Sequence, residues 1–290
     1  MTHFLHTVDP AMKEAQRVHA YFRGAGEVGK RCRIIASIAE VAAAVVVIRG
    51  FLTGSLQTWL PLVSFGLLVI SALFRIAADR YKDYSDGCRR ISLRSFALGR
   101  DIEIRESSNI RSEAPPLALR YAASLPASSL VEYYEPSSPP GEARLREIYA
   151  YSAFYTSQLA KTCRNAYFTG SILILAGALV VLYLLATSER VESRELVLDA
   201  LFSVVLSVIG LRTMEQALKF ANMAKNTRRI ADSLIAHPPP AGDALSDLTF
   251  EYDAAVSSAT PIPTTLYRLR REELDEAWRH RRGALFSQTP

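Results

Sequence analysis

Few residues in this chain are of a type and spacing that could do chemistry. The most conspicuous group is Gly24-Ala25-Gly26-Glu27-Val28-Gly29-Lys30, which satisfies both GxGxxG and GxxxxGK. A phosphate-binding loop of that form needs a strand before it, a helix after it and a Ser or Thr following the lysine to hold magnesium. Here Arg31 follows Lys30, and the segment upstream, Pro10 to Phe22, is rich in Ala, Glu, Gln and Arg and reads as helix. Nucleotide hydrolysis is therefore not expected, and the glycines read as a joint at which an N-terminal helix turns. The remaining reading is a backbone anion site helped by Lys30, Arg31 and Arg33. Two arginine pairs, Arg89-Arg90 and Arg228-Arg229, could hold a phosphate between them if the chain brings them together; otherwise they are ordinary basic flanks. Glu40, Arg49 and Asp199 are the only charges in otherwise apolar windows. Ionisable residues in such places are functional candidates by default.

No catalytic set accompanies them. The five histidines are scattered, and no Ser/His/Asp group has a local signature. The three cysteines, Cys32, Cys88 and Cys163, exclude a disulfide framework and have no zinc-ligand spacing. They read as free thiols in basic segments, with Cys32 and Cys163 placed where acylation could occur. Neither a cofactor nor a metal is expected, and the protein is not read as an enzyme.

The elements that must position these residues follow from how charge and apolarity are distributed. The chain has 290 residues, 22% charged, and a mean hydropathy of +0.09. That average mixes two populations. Four windows, 34–52, 56–74, 166–186 and 196–211, total 75 residues and hold three charges, whereas the other 215 residues are about 28% charged. About 20 apolar residues of helix span a bilayer core. The third window is uncharged for 21 residues. Pro61 lies early in the second, where a helix tolerates it. The fourth is short and reaches full length if Glu195 and Arg212 snorkel.

The expectation is an all-α integral membrane protein with four transmembrane helices, arranged as two tandem hairpins with long helical extensions. By range this gives an N-terminal helix and Gly joint (1–33), a first hairpin (34–78), a helical middle region (79–165), a second hairpin (166–212), a stem helix (213–236), and a Pro-rich linker with a C-terminal helix (237–290). Sixteen Lys and Arg flank one set of span ends and three lie in the hairpin connections. Both termini are thus expected on the cytoplasmic side, with no cleaved leader. The net charge of +5 then reflects topology and contact with lipid, and no DNA partner is expected. Arg49 and Asp199, near the outer ends of their spans, could snorkel or pair with each other; Glu40 is deeper and should face other helices or a path.

The two halves also resemble each other. Lys30-x-Cys32-Arg33 matches Lys161-x-Cys163-Arg164, Arg75 matches Arg212, and Arg89-Arg90-Ile91 matches Arg228-Arg229-Ile230, at offsets of 131, 137 and 139 residues. Two copies of one unit, entering the membrane from the same side, would form a parallel repeat. Within the tail, Thr264 to Arg282 reads as a helix with a thin apolar stripe; it either packs on the stems or presents Trp278 and Arg279, Arg281 and Arg282 to a partner or lipid surface.

The segment before the third window carries Tyr133-Tyr134-Glu135-Pro136, then Ala143-Arg144-Leu145, then Phe154-Tyr155-x-Ser157-Gln158-Leu159. With the layout of residues 10 to 235, this resembles the four-transmembrane pore-forming effectors of bacterial CBASS-type antiviral systems, which are similar in turn to the two-transmembrane SLATT effectors. Where that family has Cys-Gln-Arg and Asn, this chain has Glu147-Ile148-Tyr149 and Tyr151. The resemblance implies a homo-oligomer, quiet at rest, that a cyclic oligonucleotide or a cytoplasmic partner protein triggers to breach the inner membrane. Two other readings remain open: a membrane scaffold or sensor recruiting a soluble partner through residues 242–290, and a small transporter using Ser64, Ser71, Ser203 and Ser207.

Overall fold

The computed structural model of the chain describes residues 13–53, 59–124, 138–187, 193–236 and 238–286, with side chains described except at 47–53, 59–61, 181, 184–186, 193–203, 205 and 283–286. All regular structure among them is helical. Four long helices dominate: α1 (Lys13–Thr53), α2 (Trp59–Leu98), α5 (Glu142–Thr187) and α6 (Ser193–Leu234). Short helices α3 (Ile104–Ser112) and α4 (Pro116–Ser124) follow α2, and α7 (Gly242–Ser257) and α8 (Thr264–Phe286) follow α6. A 40-residue helix is about 60 Å long, twice a bilayer core. The stems expected to continue the apolar windows are thus parts of the same unbroken helices. Two helical stretches, Leu62–Leu98 and Glu142–Val180, are long and apolar enough to cross a membrane, and only 17% of the most apolar part of each is buried. The core helix of a soluble protein would be mostly covered.

The chain divides into two compact units. Unit 1 comprises Met1–Gly29, Arg80–Leu159 and Asn222–Pro290; unit 2 comprises Lys30–Asp79 and Ala160–Ala221. Each long helix therefore contributes a segment to both.

Unit 1 has a core of large side chains. Val18, Leu93, Ile148, Tyr149, Ile230, Leu234 and Leu245 are all fully buried. Its helix ends are tied down locally. Asp101 accepts hydrogen bonds from the backbone N–H of Ala15 (2.9 Å) and Glu14 (3.3 Å), which supplies acceptors to the orphan donors at the start of α1. Gly99, at φ +67°, turns the chain out of α2 as the Arg100 N–H returns to the Ser95 carbonyl at 3.1 Å.

The glycine joint expected at 24–29 is not a turn. α1 passes through it unbroken, so its backbone N–H groups are spent on the helix and cannot cradle a phosphate. Its glycines serve close packing: a Cβ on Gly24 would lie 2.5 Å from the Ala118 carbonyl oxygen of α4.

Unit 2 is built the other way round. Apart from Glu40 and Phe220, its buried described residues are alanines, serines, Cys163 and Gly210, while Ile38, Val41, Leu62, Phe65, Leu173 and Leu179 are more than 60% exposed. Small residues inside let helices approach closely without a hydrophobic driving force, as helices packed in lipid do. Ser171 donates to the Gly210 carbonyl at 3.0 Å, and a Cβ on Gly210 would meet Leu175 Cδ2 at 2.7 Å.

Candidate functional site

The site grows from Glu40, a buried carboxylate on the unit 2 segment of α1. Three donors converge on it. Ser71 Oγ donates to Oε1 at 2.9 Å. Arg75, one turn further along α2, grips both oxygens, Nε to Oε1 at 3.0 Å and Nη2 to Oε2 at 2.6 Å. Arg212 of α6 reaches Oε1 at 3.4 Å. Residues four apart share a helix face, so Ser71 and Arg75 form one prepared surface. The fork on Arg75 matches a carboxylate in plane, the stronger form of charge-assisted hydrogen bond. Glu40 thus joins three helices, of which α2 and α6 carry the equivalent arginines of the two repeats.

The 131-residue offset places Ser171 opposite Glu40 in the second half. Where the first half pairs Arg75 with its own carboxylate, the second has a serine that turns to the Gly210 carbonyl instead. Arg212 reaches across to the first half, so one carboxylate serves two guanidiniums. A second cross-helix pair in unit 2, Arg33 to Asp79 at 2.6 Å, joins α1 and α2 near the basic end.

The other sequence candidates are distributed as follows. Arg49 and Asp199 lie on α1 and α6, and their side chains fall outside the described residues. Lys30 and Arg31 lie on α1, Lys30 half-buried and Arg31 exposed. Arg89 is buried in unit 1, where Nη2 donates to Asp253 Oδ1 at 2.9 Å and the guanidinium sits 5.3 Å from the Tyr252 ring centroid. Tyr149 donates to the other Asp253 oxygen at 3.2 Å. Burial pushes the Asp253 carboxyl above the usual aspartate range, against the Arg89 charge and the Tyr149 hydrogen bond. Arg229 pairs with Glu251 at 2.6 Å, and Arg90 and Arg228 are exposed. The two arginine pairs therefore each hold one carboxylate of α7, a helix absent from the sequence reading. Cys88 and Cys163 are buried, Cys32 half so. Among the described residues no cluster of His, Cys, Asp or Glu could hold a metal.

No family model matches the chain, and no curated protein and no solved structure matches it.

What sequence reasoning missed at this site was the partners. Arg75 and Arg212 read as basic flanks. The available signal was Ser71 and Arg75 at helical spacing, a polar pair on one face at the end of an apolar run, with a lone acid on the neighbouring span.

Proposed function

We infer that this chain is a four-span membrane effector, with α1 and α6 crossing the bilayer at 34–52 and 196–211 beside α2 and α5. Both termini face the cytoplasm of a bacterial inner membrane. The Glu40 cluster is a latch that keeps the helices of unit 2 closed, and a cytoplasmic signal opens or assembles copies of the chain so that the membrane loses integrity. The resemblance to CBASS-type effectors supports antiphage defence as the setting, with a cyclic oligonucleotide or a partner protein as the trigger.

One observation carries this reading: a buried carboxylate bridging two arginines inside a unit whose surface is made of large aliphatic side chains. Charges kept in such a place are costly unless they do something. Removing one partner of a fully buried pair costs about 3–5 kcal/mol; with Arg75 and Arg212 31% and 54% exposed, the cost here is smaller. A two-state packing held by such a pair is therefore easily biased. A channel of this kind must be oligomeric, because two hairpins enclose too little. The tail helices bury Leu245, Tyr252, Leu274 and Trp278 in the core of unit 1, so they are structural before they are a recruiting arm.

The test is dye release from liposomes of bacterial lipid containing the purified chain. Wild type should be tight and Glu40→Gln leaky, and Glu40→Asp, which keeps a carboxylate for both arginines, should stay closer to wild type. If Glu40→Gln inserts normally and remains as tight as wild type, Glu40 is no latch.

A further inference from the structure

Helix α7 stands between the two repeat-related arginine pairs. Asp253 and Glu251 are two residues apart and so project about 200° apart around the helix. Asp253 meets Arg89 of α2 on one side, and Glu251 meets Arg229 of α6 on the other. The helix runs antiparallel along α2 on polar rungs: the Lys82 ammonium donates to the Ser257 carbonyl, Arg89 pairs with Asp253 at 2.9 Å, and Arg94 donates to Ser246 and Thr249, each at 3.3 Å.

The pairing at Arg89 is incomplete. The residue is more than nine-tenths buried, it uses Nη2 alone on Asp253, and its buried Nε has no acceptor. A guanidinium offers two parallel donors on one edge, which a phosphate takes as a fork. Arg90 and Arg228, the other members of the pairs, stay exposed.

The geometry points to α7 as the resident occupant of an anion site formed by Arg89, Arg90, Arg228 and Arg229, from which a soluble ligand bearing two or more phosphates displaces it. Two phosphates replace the two carboxylates, one per pair, and supply the acceptor that Arg89 Nε lacks. The ionic contacts of α7 are of the kind that break by exchange of anions, while its buried Leu245 and Tyr252 add apolar contacts that the ligand must overcome. This inference concerns unit 1 and does not depend on what unit 2 does in a membrane.

The experiment is hydrogen exchange of the full chain in neutral detergent, read over residues 242–257, during titration with tripolyphosphate. Protection of α7 should fall as tripolyphosphate rises and should be unaffected by equal ionic strength of chloride. The Arg90→Gln, Arg228→Gln double variant should need about tenfold more tripolyphosphate than wild type to lower α7 protection from its own ligand-free level. Unchanged protection at millimolar tripolyphosphate would overturn the proposal. So would identical titrations of wild type and double variant, or release by phosphatidylglycerol micelles but not by tripolyphosphate, which would place the ligand in the bilayer.

Discussion

Units 1 and 2 use the same secondary structure and share the same long helices, yet they sort side chains by opposite rules. Unit 1 buries Tyr149, Phe154, Leu93 and Trp278. Unit 2 buries Ala36, Ala43, Ser71 and Ser171 and exposes Ile38, Val41, Leu62, Leu173 and Leu179. Size and charge decide each arrangement. In water, burial of large apolar area drives packing, at about 25 cal/mol per Å². Where the surroundings are as apolar as leucine, that drive vanishes, and close backbone contact with a few hydrogen bonds must hold helices together. The difference supports the proposal that the helices in unit 2 are built for surroundings other than water, with the polar links inside it, Glu40 above all, carrying the specificity.

The comparison can be broken most severely in unit 1. Trp278, 7% exposed and packed against Tyr151 and Phe154 with centroids 5.6 Å from each, anchors α8. Trp278→Ala should cost about 3–5 kcal/mol, read as a lowered unfolding midpoint in detergent. A loss below 1 kcal/mol would mean α8 is not part of the core.

Acidification should act on the same unit. His19 is buried beside Phe22, and burial, helped by the Arg23 charge, lowers its pKa to about 4 from 6.5. A depressed histidine pKa stabilises the fold above the unfolded value, and this contribution is lost as pH falls from about 6.5 through about 4. Its full size is about 3 kcal/mol. His19→Gln should flatten that part of the stability profile, and an unchanged slope would remove His19 as its source.

Unit 2 should respond to the opposite change of size. Gly210→Ala places a methyl against Leu175, a flexible side chain, and should cost about 1–2 kcal/mol in thermal stability. The same substitution at Gly24, where backbone of α4 blocks the methyl at 2.5 Å, should cost more. Equal tolerance at both sites would argue against the close approach at Gly24. The smallest effect should come from Leu173→Ala. At 68% exposure it removes a surface leucine, and stability in detergent should change by less than about 0.5 kcal/mol. A loss of 2 kcal/mol there would place Leu173 in a core and undo the contrast between the units.

Much of this architecture was legible along the chain. Hydropathy windows and basic flanks each depend on residues close in sequence; α1, α5 and α6 contain their windows and α2 contains 59–74 of the second, whose residues 56–58 lie outside the described residues. The glycine-rich stretch misled because glycine is equally suited to a turn and to close helix contact, and only the position of α4 decides between them. The site was half legible. Glu40 stood out as a lone acid, but its partner Arg212 is 172 residues away, and Asp253 is 164 residues from Arg89. Local periodicity holds no information about such pairings. Helix α7 escaped notice because it directly follows a Pro-rich break that reads as a linker.

The central claim, that all four helices of unit 2 lie in lipid, is tested most directly by site-directed spin labelling in liposomes. One label is placed on each helix, at Val41, Phe65, Leu173 and Val208, with Leu269 of α8, 82% exposed, as the aqueous reference. The four should be accessible to oxygen and shielded from a nickel chelate, with Leu269 showing the reverse. Nickel access at Val41 or Val208 equal to that at Leu269 would contradict the four-span account.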